Sequence, residues 1–161
     1  LILEGFQAGL SWITILRKRE AFRRAFHTFD PERIVRYGEK DVARLMADAG
    51  IVRNKLKIEA TIDNARAYLK LRDRTTLAAF LWSQMENGPI LNRFASMKEL
   101  PAETVESKRI SKALKDEGFR FVGPTTIYAY MQSVGLVNDH LTTCPRHAAV
   151  CKLHRSFERP Q

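Results

Sequence analysis

Three clusters of side chains in this sequence have types and spacings that could do chemistry. The first is Glu4-Gly-Phe-Gln-Ala-Gly-Leu-Ser-Trp12, followed one helical turn later by the basic run Arg17, Lys18, Arg19. An indole can stack on a planar ring while a nearby carboxylate accepts hydrogen bonds from its edge, so Glu4 and Trp12 could line a base-reading pocket. The plainer alternative is a solvated helical glutamate and a core tryptophan. The second cluster runs from Lys115 to Tyr128 through Gly118, Gly123 and Pro124. One helix would stop at Gly118 and another start at Pro124, pointing unpaired amide groups at a phosphate, with Arg109, Lys112, Lys115 and Arg120 adding positive charge. An ordinary helix-to-helix turn has the same glycines as caps. The third is at the C-terminal end, where Asp139, His140 and Cys144 precede His147, Cys151 and His154. Thiolate and imidazole donors at such spacings suit a tetrahedral zinc, and Cys144, His147, Cys151 and His154 could supply all four, although a basic tail also gathers such residues by chance.

The chain that must position these groups has 161 residues, with 27 Lys+Arg against 18 Asp+Glu and a formal charge of +9. That length buries a real core, and an apolar content of 45% argues against disorder. No apolar run reaches the roughly 20 residues that cross a bilayer, so no membrane is expected. The basic excess makes nucleic acid the first partner to test. Two cysteines are too few for a disulfide framework, which favours a reducing compartment. Leu1-Ile2-Leu3 already carries a helical apolar pattern, and the reading is of a sequence cut within a helix.

Helical periodicity dominates, and the expected fold is all-α. Leu3, Phe6, Leu10, Ile13 and Leu16 form one apolar stripe, with Arg23 and Arg24 extending the basic cluster beyond it. Asp30-Pro31 caps and starts a short helix that Gly38 ends. Lys40 to Ala49 buries Val42, Leu45, Met46 and Ala49. Arg53 to about Leu71 turns Leu56, Ile58, Ile62, Ala65 and Leu69 inward. Thr76 to Asn87, Ser107 to Glu117 and Pro124 to Val134 complete the helices, and no pattern is visible after Cys144. No linker divides the chain.

The opening motif, Asp48-Ala-Gly-Ile-Val-Arg53 with Asn64-Ala-Arg-Ala-Tyr-Leu69, Gly118-Phe-Arg-Phe-Val-Gly-Pro-Thr125 and Gly135-Leu-Val-Asn-Asp-His140 together resemble the bacterial DNA-3-methyladenine glycosylase I family. The resemblance runs in order from residue 1 to about 144, and residues 145–161 are left as a tail. It implies a helix-hairpin-helix glycosylase fold that flips and excises 3-methyladenine from alkylated double-stranded DNA, working as a cytoplasmic bacterial monomer. By the same resemblance Glu4 binds the methylated base and is the candidate catalytic acid, and Trp12 stacks on the base. Gly9 and Leu10 fill the gap left by the extruded nucleotide. Val122, Gly123, Pro124, Thr125 and Thr126 hold the DNA backbone. His140 and Cys144 match half of a structural zinc clasp whose other ligands belong to an upstream segment of the family. Asp139 is a second acid, expected to cap or orient His140. A non-catalytic helix-hairpin-helix DNA-binding module is the alternative reading.

Overall fold

The computed structural model describes residues 1–160; Gln161, the last residue of the expected tail, lies outside the described residues. The chain forms two compact units, one of Leu1–Arg74 with Ala113–Val122, the other of Thr75–Lys112 with the chain from Gly123 onward.

In the first unit, helix α1 (Ile2–Gln7) is separated from α2 (Trp12–Ala25) by a tight turn in which Gly9 has φ +81°. The break matters because it re-phases the apolar stripe. Phe6 is buried and Leu3 packs on the core, but Leu10, Ile13 and Leu16 are exposed, and Ile15 and Phe22 face inward instead. The expected single stripe through Leu16 is therefore corrected. Residues His27, Thr28 and Phe29 all have positive φ and make a left-handed turn after α2. Asp30 then accepts a hydrogen bond from the Glu32 amide at 3.0 Å and caps α3 (Pro31–Ile34), as the sequence predicts. Gly38 does not end that helix; it precedes α4 (Glu39–Ala47), whose Leu45 is buried while Ala49 lies beyond the helix and exposed. The long helix α5 (Lys55–Arg72) is capped by Asn54, which accepts from the Lys57 amide. It buries Ile58, Ile62 and Ala65, whereas Leu56 is exposed, contrary to its expected inward position. The core is rich in rings: Phe6 meets Phe22 at 4.7 Å and Phe26 at 5.9 Å between centroids.

The second unit holds α6 (Leu77–Ser83), which ends before the expected Asn87, and most of α7 (Val105–Asp116). Helix α8 (Pro124–Val134) has the boundaries the sequence predicts, and Gly135 closes it at φ +81°. Two short strands, β1 (Ile90–Leu91) and β2 (Val137–Asn138), pair in parallel, a minor addition to an all-α fold. The tail is also a helix, α9 (Pro145–Arg155), started by Pro145 at its first turn. Its segment packs on this unit, with the Phe157 ring 4.2 Å from that of Trp82.

Candidate active site

Glu4 sits in the middle of α1 and is buried, although most of that helix's neighbours are apolar. Burial raises its pKa above the usual carboxylate range. Trp12 opens α2, is partly buried and packs on the core shared by both helices. The structure thus keeps acid and indole on adjoining helices of one unit. Between them, Ala8, Gly9 and Leu10 are exposed at the turn, with the Leu10 amide donating to the Gln7 carbonyl at 2.6 Å. An exposed leucine on a turn closed this tightly is a side chain held away from its own core.

One buried cation supports that turn. The Lys57 ammonium donates to the carbonyls of Phe6 at 2.9 Å and Ala8 at 2.7 Å. Its pKa is lowered by burial. A crevice of about 10 Å³ beside it is lined by Gly5, Phe6, Lys57, Asn64 and Phe121.

The hairpin residues divide differently from expectation. Gly118, at φ +94°, ends α7, and Phe121, a non-glycine residue, adopts φ +54°. Val122 is buried, Gly123 is the N-cap of α8 with Pro124 at the first position, and Thr125 is exposed there. Amides in such a first turn have no intrahelical acceptor, so Thr125 and Thr126 can donate to an anion. The flanking arginines are engaged elsewhere. Arg120 pairs with Asp63 at 2.6 Å and its amide donates to Asn64 Oδ1, while Arg109 pairs with Glu86. On α2, Lys18 donates to the Ala49 carbonyl at 2.8 Å, while Arg17, Arg19 and Arg24 are exposed.

In the second unit, Asp139 is buried and accepts from Asn92 Nδ2 at 2.7 Å, Tyr128 OH at 2.5 Å and Gln132 Nε2 at 2.8 Å. Burial and the neighbouring carboxylate push the Tyr128 hydroxyl's pKa up, so it stays a donor. The expected role in orienting His140 falls instead to Asn138, whose Oδ1 accepts the His140 amide at 3.2 Å. His140 Nδ1 lies 3.8 Å from Cys144 Sγ. Two ligands of one tetrahedral zinc stand about 3.6 Å apart, so this pair fits half of such a site. Cys151 Sγ and His147 Nδ1 are also 3.8 Å apart, with His147 Nε2 on the Asn92 carbonyl at 2.9 Å. Among the described residues no group of three or more His, Cys, Asp or Glu is arranged around one point, so the four-ligand tail set is not assembled. A cavity of about 640 Å³ in this unit is lined by residues that include Trp82, Gln132, Asp139, His140 and His154.

The methyladenine glycosylase family pattern matches residues 1–147, which include every one of these candidate groups except Cys151 and His154. The chain belongs to the methyladenine glycosylase family. The DNA-3-methyladenine glycosylase of Haemophilus influenzae is 47% identical over 146 residues, covering 90% of this chain and 79% of that protein. A crystal structure of a 3-methyladenine DNA glycosylase I superposes with a TM-score of 0.86 at 49% identity, covering 89% of this chain and 80% of the other. A variant of a 3-methyladenine DNA glycosylase I, solved in complex with 3-methyladenine, superposes with a TM-score of 0.84 at 36% identity, covering 89% and 78%.

For a methyladenine glycosylase family member, two of the groups just described escape sequence reasoning. Lys57 sits in a helical pattern where a lysine reads as solvated. The donors to Asp139 come from two places in the chain, Asn92 and one face of α8 that carries Tyr128 and Gln132, and their convergence has no local sequence signal.

Proposed function

We propose that this chain excises 3-methyladenine from alkylated duplex DNA by hydrolysing the N-glycosidic bond. The observation that carries the reading is the turn between α1 and α2. It presents an exposed Leu10 between a buried carboxylate and a partly buried indole, in a chain whose relatives are named for this activity. Methylation at N3 leaves the adenine cationic, which weakens the bond to C1′. When that bond breaks, its electron pair stays with the base and neutralises it; water adds to C1′ and releases a proton, leaving 3-methyladenine and an abasic site. The base is a good leaving group already, so recognition can carry much of the acceleration. Extrusion costs a few kcal/mol, less for a damaged base, and stacking on Trp12 with hydrogen bonds to Glu4 offsets it. An ionised Glu4 facing a cationic ring adds a charge-assisted contact. Leu10 and Gly9 fill the vacated stack, the first-turn amides of α8 at Thr125 and Thr126 hold phosphate, and the exposed arginines of α2 add attraction.

His140 and Cys144 would hold half of a structural zinc, which when bound ties the segments that ligate it together. The glycosylase region is taken as residues 1–144 with residues 145–161 an appended tail that includes α9, acting as a monomer on DNA.

Chromatography of free bases released from methylated duplex DNA tests the reading. Free 3-methyladenine is expected from the wild-type chain, and its loss in Trp12→Ala locates the pocket. DNA binding that falls steeply with salt but yields no free base would instead identify a binding module without catalysis.

A further inference from the structure

Lys57 is placed against its own helix. It is the third residue of α5, where the helix dipole disfavours a cation, and it is buried, which disfavours its charge. What it serves is α1. That helix is only six residues long, unwinds at its C-cap Ala8, and its last turn leaves carbonyls with no intrahelical donor. The Lys57 ammonium takes the carbonyls of Phe6 and Ala8, one on each side of the point where the helix unwinds. A cation at a helix C-terminus is the favourable arrangement, and an ammonium has three donors to spread over such acceptors. The ring of Phe121 lies 6.0 Å from Nζ and covers the site. Directly beyond Ala8 come Gly9 at φ +81° and the exposed Leu10.

We infer that Lys57 is a positioning residue: its buried ammonium clamps the end of α1 so that the turn holds Leu10 outward, ready to enter the DNA stack. Resting on the glycosylase reading for what Leu10 meets, the clamp acts on extrusion and not on bond cleavage. An entering side chain gains most when its turn is rigid before contact, because ordering it on binding costs free energy. Single-stranded DNA has no paired stack to hold open, so the clamp matters for duplex and little for single strands.

The test compares wild type with Lys57→Met, which keeps the length of the side chain and removes its donors, and Lys57→Arg, which restores charge and donors. Amide hydrogen exchange at residues 8–11 is measured on each protein, and base release is measured on methylated duplex and methylated single-stranded DNA. In Lys57→Met, exchange at residues 8–11 should quicken at least tenfold. Its KM for duplex should rise about tenfold, with kcat and single-strand release within about twofold of wild type. Lys57→Arg should recover most of both. Unchanged exchange at residues 8–11 overturns the clamp, and so does an equal loss on both DNA forms. Should wild type release no base from either, the glycosylase reading falls while the exchange measurement still decides the clamp. Should Lys57→Met fail to fold, exchange and the duplex-to-single-strand ratio in Lys57→Arg decide it: a ratio and turn protection at wild-type level support the clamp, and a collapse of turn protection without a change in that ratio refutes it.

Discussion

Two buried carboxylates, Glu4 in one unit and Asp139 in the other, are held in opposite ways. Asp139 receives three hydrogen bonds from neutral donors, which replace the water it lost. Glu4 is governed by desolvation, which raises its pKa. An acid whose acceptors are filled by the protein joins segments of chain, here tying Asn92 to α8 near β2. An acid whose burial outweighs its favourable neighbours gains from a cationic base with edge donors. Under the proposed reading this contrast gives recognition to Glu4 and architecture to Asp139, although both stand in motifs of the same family.

Replacing Glu4 with glutamine should have the largest effect on function. A hydrogen bond to a charged group contributes about 1.5–3 kcal/mol, so base release by Glu4→Gln should fall roughly 10- to 100-fold. Stability should move the other way. Because the folded pKa lies above the unfolded one, ionised Glu4 costs the fold stability from the unfolded value upward, and below that value the penalty disappears. Glu4→Gln should therefore melt at a higher temperature than wild type at pH 7 and match it near pH 4. A lower melting temperature at pH 7 would make Glu4 a structural acid like Asp139 and end the distinction.

Asp139→Asn should show the reverse pattern with a smaller effect on turnover. Its amide would face the donors of Tyr128 and Gln132, and an unmatched buried polar group costs about 1–3 kcal/mol. For a chain of this size that is roughly 3–10 °C in Tm. Tyr128→Phe should cost less, about 1 kcal/mol, because it removes one donor and leaves no group facing its like. A collapse of kcat in Asp139→Asn with an unchanged Tm would move Asp139 into the chemistry.

This division was only partly legible in the sequence. Features fixed by local backbone chemistry read correctly: Asp30 before Pro31, and α8 between Pro124 and Gly135. Features that depend on phase after a break did not. Gly9 interrupts the first helix, and a stripe drawn through it assigns to the core Leu10, Ile13 and Leu16, which are exposed. Leu56 and Lys57 exchange the fates that polarity suggests: Lys57 is buried on two carbonyls across the fold, and Leu56 is exposed. Helix α9 was missed although Pro145 marks its start, since its apolar positions are too few to show a period. The types at the site, acid, indole and His–Cys pair, were legible; which acid was already satisfied was not.

The smallest expected effect sharpens the contrast with Glu4 from the basic side. His154 has a buried Nδ1 with no hydrogen-bond partner among the described residues, and burial lowers its pKa against a smaller raising by the Gly135 backbone. Its folded pKa is below its unfolded one, so the unfolded chain takes the proton first as pH falls. Stability is then lost on descending from about pH 6.5, the ordinary histidine value, toward the folded pKa. His154→Gln, which cannot titrate, should lose less Tm than wild type between pH 7 and pH 5 and differ little from it at pH 8. Wild-type Glu4 works in the opposite sense, favouring the fold as pH falls from its raised folded pKa toward the ordinary carboxylate value. A double variant, Glu4→Gln with His154→Gln, should therefore show a flatter Tm profile between pH 4 and pH 7 than either single one. Non-additive profiles would mean that the two buried groups, one in each unit, titrate as a coupled pair.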